Sequence, residues 1–354
     1  MKKYSIILLT IVIVLFVLSA TIYASDEGKV YKWRAVSHSM AGTTKYDQVM
    51  VKFCERVKEA SNGRLIIEPY AAGVLFPVFD SFDALKNNIV QMSMVFSGYW
   101  AGIDPFFAIS GNHPGSPLTD FSECMYREEE AAPLKEKVYA KYGIKYLGCF
   151  DWAEPEPLMS MVAVNKIEDF KGLKIRTSGP GANFFKRLGA SVVSLSAPEI
   201  YTSLKLGTID LAEYTGWAEN SEMGLNEVTK YIILPSLHMG SNEDKALCVN
   251  PKAWNELPDD IKAIVIACLG EAKYRSAYLY TSMNRKAKAE KWDGVEIITL
   301  PEEEVVKGRK IGLEVERWYA EQNPECAEYV AIEARVLHEL GYIDEAKDLG
   351  YSEQ

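Results

Sequence analysis

The sequence lacks the motifs that mark common enzymes, zinc sites and nucleic-acid-binding proteins. Its six cysteines show neither C-x-x-C nor Cys/His spacing, so neither a zinc site nor a disulfide scaffold is indicated. It has no G-x-S-x-G, no H-E-x-x-H and no Lys-Ser/Thr pair after Gly179-Pro180-Gly181, which argues against catalysis. The formal net charge is -10 and no basic cluster is present, so nucleic acid is not an expected partner.

The scattered cysteines are predicted to be mostly small buried hydrophobic residues. A disulfide between Cys124 and Cys149 is the alternative, because such a bond would persist in an oxidising compartment.

Long apolar runs are absent after the N-terminal segment. Lys2 and Lys3 precede an apolar run over residues 6–18, and Ala24 supplies a cleavage site before Ser25. The run is shorter than the roughly 20 residues that span a membrane. We therefore predict that residues 1–24 are a cleaved signal peptide and that the protein is periplasmic, with an uncleaved N-terminal anchor as the alternative.

Cleavage would leave an acidic chain that is long for one hydrophobic core. Removing Lys2 and Lys3 changes the formal charge from -10 to -12, and 354 minus 24 leaves 330 residues. A chain of this length is expected to form two lobes or two domains.

One internal repeat supports two similar lobes. Residues 82–94 align without gaps with residues 201–213, and each copy reads as an amphipathic helix, a Gly or Asn stop and a short apolar strand. Other segments fit the same α/β class, including strands near residues 30–36 and 65–68, a helix over 46–60 and a long helical region over 251–291 that breaks near Pro258.

Two charged residues stand at the ends of apolar strands. Arg176 ends Gly-Leu-Lys-Ile-Arg and is followed by Thr177 and Ser178; a guanidinium in this position is suited to bidentate binding of a carboxylate. Glu213 stands where the first copy of the repeat has Met94. A carboxylate in an apolar strand requires a cation, a donor or a proton, so both residues are candidates for a ligand site.

Nearly the whole mature chain resembles the solute-binding proteins of tripartite ATP-independent periplasmic (TRAP) transporters, the DctP-like family, in its 2-oxo-acid and monocarboxylate branch. The resemblance is carried by residues 53–65, 98–105, 169–176 and 199–214.

The resemblance implies an α/β fold of two lobes with hinge strands and the ligand cleft between them. Lobe I would comprise residues 25–153 plus 242–281, lobe II residues 154–241 plus 282–320, and a C-terminal helical extension residues 321–354. The C-terminal part of the chain reads as two helices, over residues 305–320 and 326–340 with Pro324 between them, that pack back across the lobes. The similarly long tails of other members of this branch imply a homodimer.

The resemblance also assigns roles to site residues. Arg176 would pair with the ligand carboxylate, and Glu213 with the carbonyl oxygen of Tyr214 would coordinate a metal ion that bridges to it. Sodium or calcium suits such oxygen ligands. The alternative is that Glu213 simply pairs with Arg176.

The chain departs from the branch at two positions. Where the branch has a glutamine before the arginine, residues 151–157 contain none, so Glu154 or Glu156 would replace it as an oxygen ligand or both would be solvated. His238 matches a histidine of the branch; it is either a structural residue or a donor to a 2-oxo or 2-hydroxy oxygen.

Aromatic residues complete the expected pocket. Tyr99 and Trp100 follow the first-copy strand and Trp217 follows the second, so their rings would wall the cleft, with Trp152 as a further candidate and core packing as the alternative.

The function implied is capture of a small organic acid, a monocarboxylate or a 2-oxo or 2-hydroxy acid, and its delivery to TRAP membrane subunits. The alternative is a ligand-sensing protein that presents its closed lobes to a signalling receptor. Ligand would favour the closed form because only that form contacts it from both lobes.

Overall fold

The structure, a computed structural model, describes residues 28–240 and 245–352. The predicted signal peptide, residues 1–24, lies outside the described residues and stays a prediction. In the described ranges, no helix is both long and apolar enough to cross a membrane.

Within the described residues, eleven strands form two sheets. In chain order they are β1 (Tyr31–Ser37), β2 (Leu65–Tyr70), β3 (Met92–Phe96), β4 (Lys145–Cys149), β5 (Leu158–Ser160), β6 (Lys174–Arg176), β7 (Ser191–Val193), β8 (Leu211–Ala212), β9 (Tyr231–Leu234), β10 (Lys245–Val249) and β11 (Glu296–Thr299).

The helices cover both sheets and form the C-terminal region. They are α1 (Lys52–Ala60), α2 (Ser81–Lys86), α3 (Pro105–Ile109), α4 (Phe121–Lys141), α5 (Gly179–Arg187), α6 (Ala197–Lys205), α7 (Trp217–Glu222), α8 (Pro251–Asn255), α9 (Asp259–Glu290), α10 (Glu302–Ala320), α11 (Pro324–Glu339) and α12 (Ile343–Asp348). A π-helical turn, Lys45–Val51, leads into α1, and 3-10 turns occur at Val78–Asp80, Ser97–Trp100, Ile167–Phe170 and Leu225–Glu227.

The two sheets have matching topology. The first has the order β2-β1-β3-β10-β4 and the second β11-β9-β5-β8-β6-β7. β1 lies parallel to both β2 and β3, as β6 does to β7 and β8, while β10 and β5 run antiparallel to their neighbours. β6, β7, β8, β5 and β9 of the second sheet therefore correspond to β1, β2, β3, β10 and β4 of the first.

This correspondence confirms what the internal repeat predicted. The first copy of the repeat folds as α2 followed by β3, and the second as α6 followed by β8. Both helices end near a residue with positive φ, Asn88 at 58° and Gly207 at 69°, where the left-handed backbone stops the helix before the strand begins.

The chain crosses twice between the sheets before the long helix. It passes from β4 to β5 through residues 150–157 and returns to the first sheet between β9 and β10. Helix α9 then packs against α1 on the first sheet's side and α7 on the second. The crossings place the beginnings of β5 and β10 at the boundary between the two lobes; the lobe limits predicted from the sequence stay predictions.

The C-terminal helices pack on both lobes. Helix α11 packs against α10, α12 and α4, and α10 also packs against α5. Pro324 is the first residue of α11, and Asn323 caps the helix by accepting from the backbone N–H of Cys326 at 2.8 Å. Proline suits this position because the first helical N–H has no intrahelical partner.

All six cysteines are buried, and none of them forms a disulfide. The alternative of a Cys124–Cys149 disulfide is therefore wrong. Their burial agrees with the prediction that they act as small hydrophobic residues.

A group of buried charged residues lies beneath the C-terminal helices. Arg127 donates from Nη1 to Glu333 Oε1 at 2.9 Å, and His113 Nδ1 lies 4.0 Å from Glu333 Oε2. The carboxylate of Glu316 belongs to the same group, and its two oxygens accept no hydrogen bond from the described residues. Burial, with the charge of Glu333, raises the pKa of Glu316 well above its usual range.

Candidate functional site

Arg176 is held rigidly at the end of β6. Its side chain is 2% exposed, and it donates from Nε to the carbonyl oxygen of Leu195 at 3.0 Å and from Nη1 to the carbonyl oxygen of Glu213 at 2.6 Å. The Nη2 group makes no hydrogen bond with the residues that the structure describes. The protein thus holds Nε and Nη1, and Nη2 stays available to an acceptor.

Glu213 is the buried counter-ion of Arg176. The parallel register pairs Arg176 with Ala212, which brings Glu213 Oε1 to 3.1 Å from Arg176 Nη1. Although burial opposes it, Glu213 raises the pKa of Arg176. Pairing of Glu213 with Arg176 was the alternative to metal binding that the sequence left open. The pair is present, and it keeps the guanidinium charged inside the protein.

The pair faces a small cavity at the lobe boundary. The cavity has room for little more than one water molecule, about 10 Å³. Residues from both sheets line it, namely His38, Phe96, Tyr99, Arg176, Ser178, Glu213, Tyr214, Met239 and Lys245.

Of the residues predicted for the site, Arg176, Glu213, Tyr99 and Tyr214 line this cavity. Burial raises the pKa of Tyr99 although the charge of Arg176 opposes it. The Tyr214 ring packs over the Arg176 guanidinium at 5.4 Å. Burial also raises the pKa of Tyr214 although Arg176 opposes it, so both phenols stay protonated and can donate a hydrogen bond.

Glu156 is buried near the cavity without lining it. It is 0% exposed, and neither carboxylate oxygen accepts a hydrogen bond from the described residues. Burial raises the pKa of Glu156 to about 8, with Glu213 adding to the shift and Lys245 opposing it. The neighbouring Glu154 is only half-buried, so Glu156 is the acid near the site.

Trp100 lies in the lobe I core and not at the cavity. The 3-10 turn Ser97–Trp100 directs its ring inwards, where Nε1 donates to Ser81 Oγ at 3.1 Å and the ring packs edge-on against Phe82 and Phe107. Trp152 is likewise in the core, against Phe121.

Trp217 also packs away from the cavity. Its ring lies edge-on against Trp292 at 5.4 Å, and Lys288 stands over its face at 5.0 Å. The wall of aromatic rings expected from the sequence is therefore represented by Phe96, Tyr99 and Tyr214.

His238 is buried next to the site. Its ring packs against Phe185 at 5.0 Å, its Nδ1 lies 3.4 Å from Ser236 Oγ, and burial lowers its pKa to about 3. Nε2 has no hydrogen-bond partner among the described residues. Met239, the next residue, lines the cavity in its place.

Sequence reasoning identified Tyr99 but missed three other lobe I residues that line the cavity. His38 follows β1, Phe96 ends β3 and Lys245 begins β10 opposite Phe96. Topology is the signal that locates them: these strands correspond to β6, β8 and β5, so their ends meet the same cleft.

Hydrogen bonds join the lobes around the cavity. Tyr214 donates from its hydroxyl to the carbonyl oxygen of His38 at 3.1 Å. Further out, the Thr44 backbone N–H donates to Glu222 Oε2 at 2.8 Å, and the Thr44 hydroxyl donates to Glu222 Oε1. These contacts hold the cleft in a closed arrangement.

Residues 36–322 match the family described as bacterial extracellular solute-binding protein, family 7. The chain belongs to this family. The match begins at the end of β1 and includes the other ten strands, the Arg176–Glu213 pair and the residues that line the cavity. The family is one of extracellular solute receptors and not of enzymes.

Known relatives of this solute-binding protein include a Nostoc sp. protein named as a monocarboxylate 2-oxoacid-binding periplasmic protein. The two are 30% identical over 235 residues, which is 66% of this chain and 64% of the relative. The match thus spans slightly less than two thirds of that relative's length.

Solved structures confirm the two-lobe α/β fold. A TRAP solute-binding protein from Bordetella bronchiseptica, described with calcium and picolinate bound, aligns with a TM-score of 0.81 at 23% identity over 91% of this chain and 96% of that one. One from Pseudoalteromonas atlantica, described with sodium and pyruvate bound, aligns with a TM-score of 0.81 at 24% identity over 92% and 100%.

Proposed function

We propose that the protein captures a small organic acid in the cleft through Arg176 and delivers it to the membrane subunits of a TRAP transporter. The acid is a monocarboxylate, with 2-oxo and 2-hydroxy acids as the preferred class. The observation that carries this proposal is the Arg176 guanidinium, whose Nε and Nη1 are held by Leu195 and Glu213 while Nη2 is left for a ligand. The name of the Nostoc relative and the pyruvate-bound structures support the same ligand class.

Capture would require the lobes to move. In this closed arrangement the cavity has room for about one water molecule, so the cleft opens to admit a three-carbon acid and closes around it. Closure then adds contacts from lobe I to those of Arg176 in lobe II. Ligand shifts the population towards the closed form by the extra affinity of that form.

We further propose that Glu213, Glu156 and the carbonyl oxygen of Tyr214 hold a sodium or calcium ion beside the acid. The residues fit such an ion, because the two Glu156 oxygens are buried without a hydrogen-bond partner among the described residues and hard cations prefer oxygen ligands. Bound there, the ion would supply positive charge for the carboxylates. Calcium or sodium is present in several related structures.

A homodimer is the proposed assembly. Its support is the C-terminal pair of helices α11 and α12 and the related Bordetella protein, which is described as a dimer.

Calorimetric titration of ligand-free, refolded protein tests the proposal. Pyruvate, lactate, longer 2-oxo acids and an aromatic acid are titrated with 1 mM EDTA and with added calcium or sodium. Micromolar binding of one acid is expected, and its strengthening by one of the ions would support the metal ligands. Absence of binding by every acid under all conditions would refute the function.

A further inference from the structure

Lys245 brings a second buried cation to the cavity, from the lobe opposite Arg176. It begins β10, pairs with Phe96 across the first sheet and is 3% exposed. Lys245 and Arg176 line the same cavity. The ligand site is therefore bounded by a cation in each lobe.

Lys245 differs from the other buried cations around the cleft in what it contacts. Arg176 pairs with Glu213 at 3.1 Å, and Lys45 pairs with Asp151 at 2.7 Å. The Lys245 ammonium makes no hydrogen bond with the residues that the structure describes. Its charge nevertheless acts on the site, because burial and the charge of Lys245 both lower the pKa of His38.

A buried ammonium is costly unless an oxygen accepts its protons. Glu156 is close enough to feel its charge, yet the Glu156 oxygens accept no hydrogen bond from the described residues. A ligand oxygen entering the cavity would give the ammonium an acceptor. Arg176, with its planar fork, is the better match for the carboxylate, which leaves a different oxygen of the ligand for Lys245.

We propose that Lys245 binds the oxygen on the carbon next to the ligand carboxylate, so that the protein selects 2-oxo and 2-hydroxy acids over plain carboxylic acids. This inference rests on the proposed function of the same site. It makes Lys245 the residue by which lobe I recognises the ligand and couples recognition to closure.

The experiment compares three acids of equal length, pyruvate, lactate and propionate, by calorimetric titration of wild type, Lys245→Met and Lys174→Met. Lys174 begins β6 two residues before Arg176, and its side chain is exposed, so it controls for the loss of one positive charge. Wild type and Lys174→Met are expected to bind pyruvate about 30-fold more tightly than propionate, which corresponds to one charge-assisted hydrogen bond. Lys245→Met is expected to bind propionate like wild type and to lose most of its preference for pyruvate.

The outcomes separate this inference from the proposed function. If wild type binds no acid, the proposed function fails. If wild type prefers pyruvate and Lys245→Met keeps that preference, or if the variant loses affinity for all three acids equally, the role of Lys245 is refuted while the function stands. Circular dichroism checks the fold; should Lys245→Met not fold, Lys245→Gln carries the same comparison with a neutral donor.

Discussion

Replacing Arg176 tests the centre of the proposed site. In Arg176→Leu the ligand loses the Nη2 donor. The charged hydrogen bonds that it would make there contribute about 1.5–3 kcal/mol each. Taking about 2 kcal/mol as a lower estimate, the affinity for the preferred acid should fall at least 30-fold. Calorimetric titration measures this loss directly.

The same substitution should also destabilise the protein. Glu213, whose side chain is 2% exposed, would lose the guanidinium 3.1 Å away, and removing one partner of a buried ion pair costs about 3–5 kcal/mol. The double variant Arg176→Leu/Glu213→Leu removes both charges, so its free energy of unfolding should return close to that of wild type while binding stays lost. Urea unfolding of the two variants distinguishes these cases.

Arg187→Leu is the matched control. Arg187 ends the next helix and pairs with Glu314 at 3.9 Å with its side chain 36% exposed, so neither affinity nor stability should change appreciably. Affinity within threefold of wild type in both Arg176 variants would refute the carboxylate role. A double variant as unstable as the single one would refute the ion-pair reasoning.

Three further predictions concern stability and chemistry away from the site. Gly312→Ala should lower the free energy of unfolding by more than about 1 kcal/mol despite the higher helix propensity of alanine, because the new Cβ would lie 2.4 Å from backbone atoms of Pro114 and Gly115. The control Gly270→Ala, whose Cβ would have nothing within 4 Å, should instead raise it by about 0.5–1 kcal/mol. Equal effects of the two substitutions in urea unfolding would contradict the close approach at Gly312. Glu316 faces Glu333, Arg127 and His113. Its raised pKa means that the folded state binds a proton more tightly than the unfolded state, so the wild type loses stability as pH rises above the ordinary glutamate range. The stability of Glu316→Gln relative to wild type should therefore increase from pH 5 to pH 8, and a difference that does not change with pH would be evidence against a raised pKa of Glu316. Burial raises the pKa of Cys326 to about 12 and also raises the pKa values of Cys54, Cys149 and Cys268. The native protein should therefore react slowly with Ellman's reagent, and after unfolding in guanidinium six thiols should react. Fewer than six reactive thiols without reductant would indicate a disulfide.

The sequence was sufficient for the features that depend on local pattern. The repeat over residues 82–94 and 201–213 predicted matching helix–strand units, and the strand ending in Arg176 predicted a buried cation at a sheet end; both are confirmed. These features follow from hydrophobic periodicity and chain stops within one segment.

Features that depend on distant pairing could not be read in the same way. Lys245 follows the polar residues 241–244 and looks like a solvated charge; only the insertion of β10 between β3 and β4 buries it at the cleft. Trp100 directly follows Tyr99, yet the 3-10 turn sends the two side chains to different environments, one to the core and one to the cavity. A pattern at a strand end predicts the position of the backbone better than the direction of a side chain.

The correspondence between the lobes shows how charge can be built into a duplicated scaffold. The register places Val36 of β1 where β6 has Arg176, and the repeat places Met94 where lobe II has Glu213. Both members of the ion pair thus have apolar counterparts, as expected if a buried charge is tolerated only together with its partner. Lys245 and Glu156 follow a different arrangement, because they stand where the chain enters lobe I and lobe II respectively, and the charge of Lys245 acts on Glu156 across the boundary. The pair within lobe II can keep Arg176 in place whether or not the cleft is closed, whereas the charges on the two crossings come together when the lobes meet. Recognition of the carboxylate can therefore be preorganised in one lobe, while recognition of the second oxygen depends on closure.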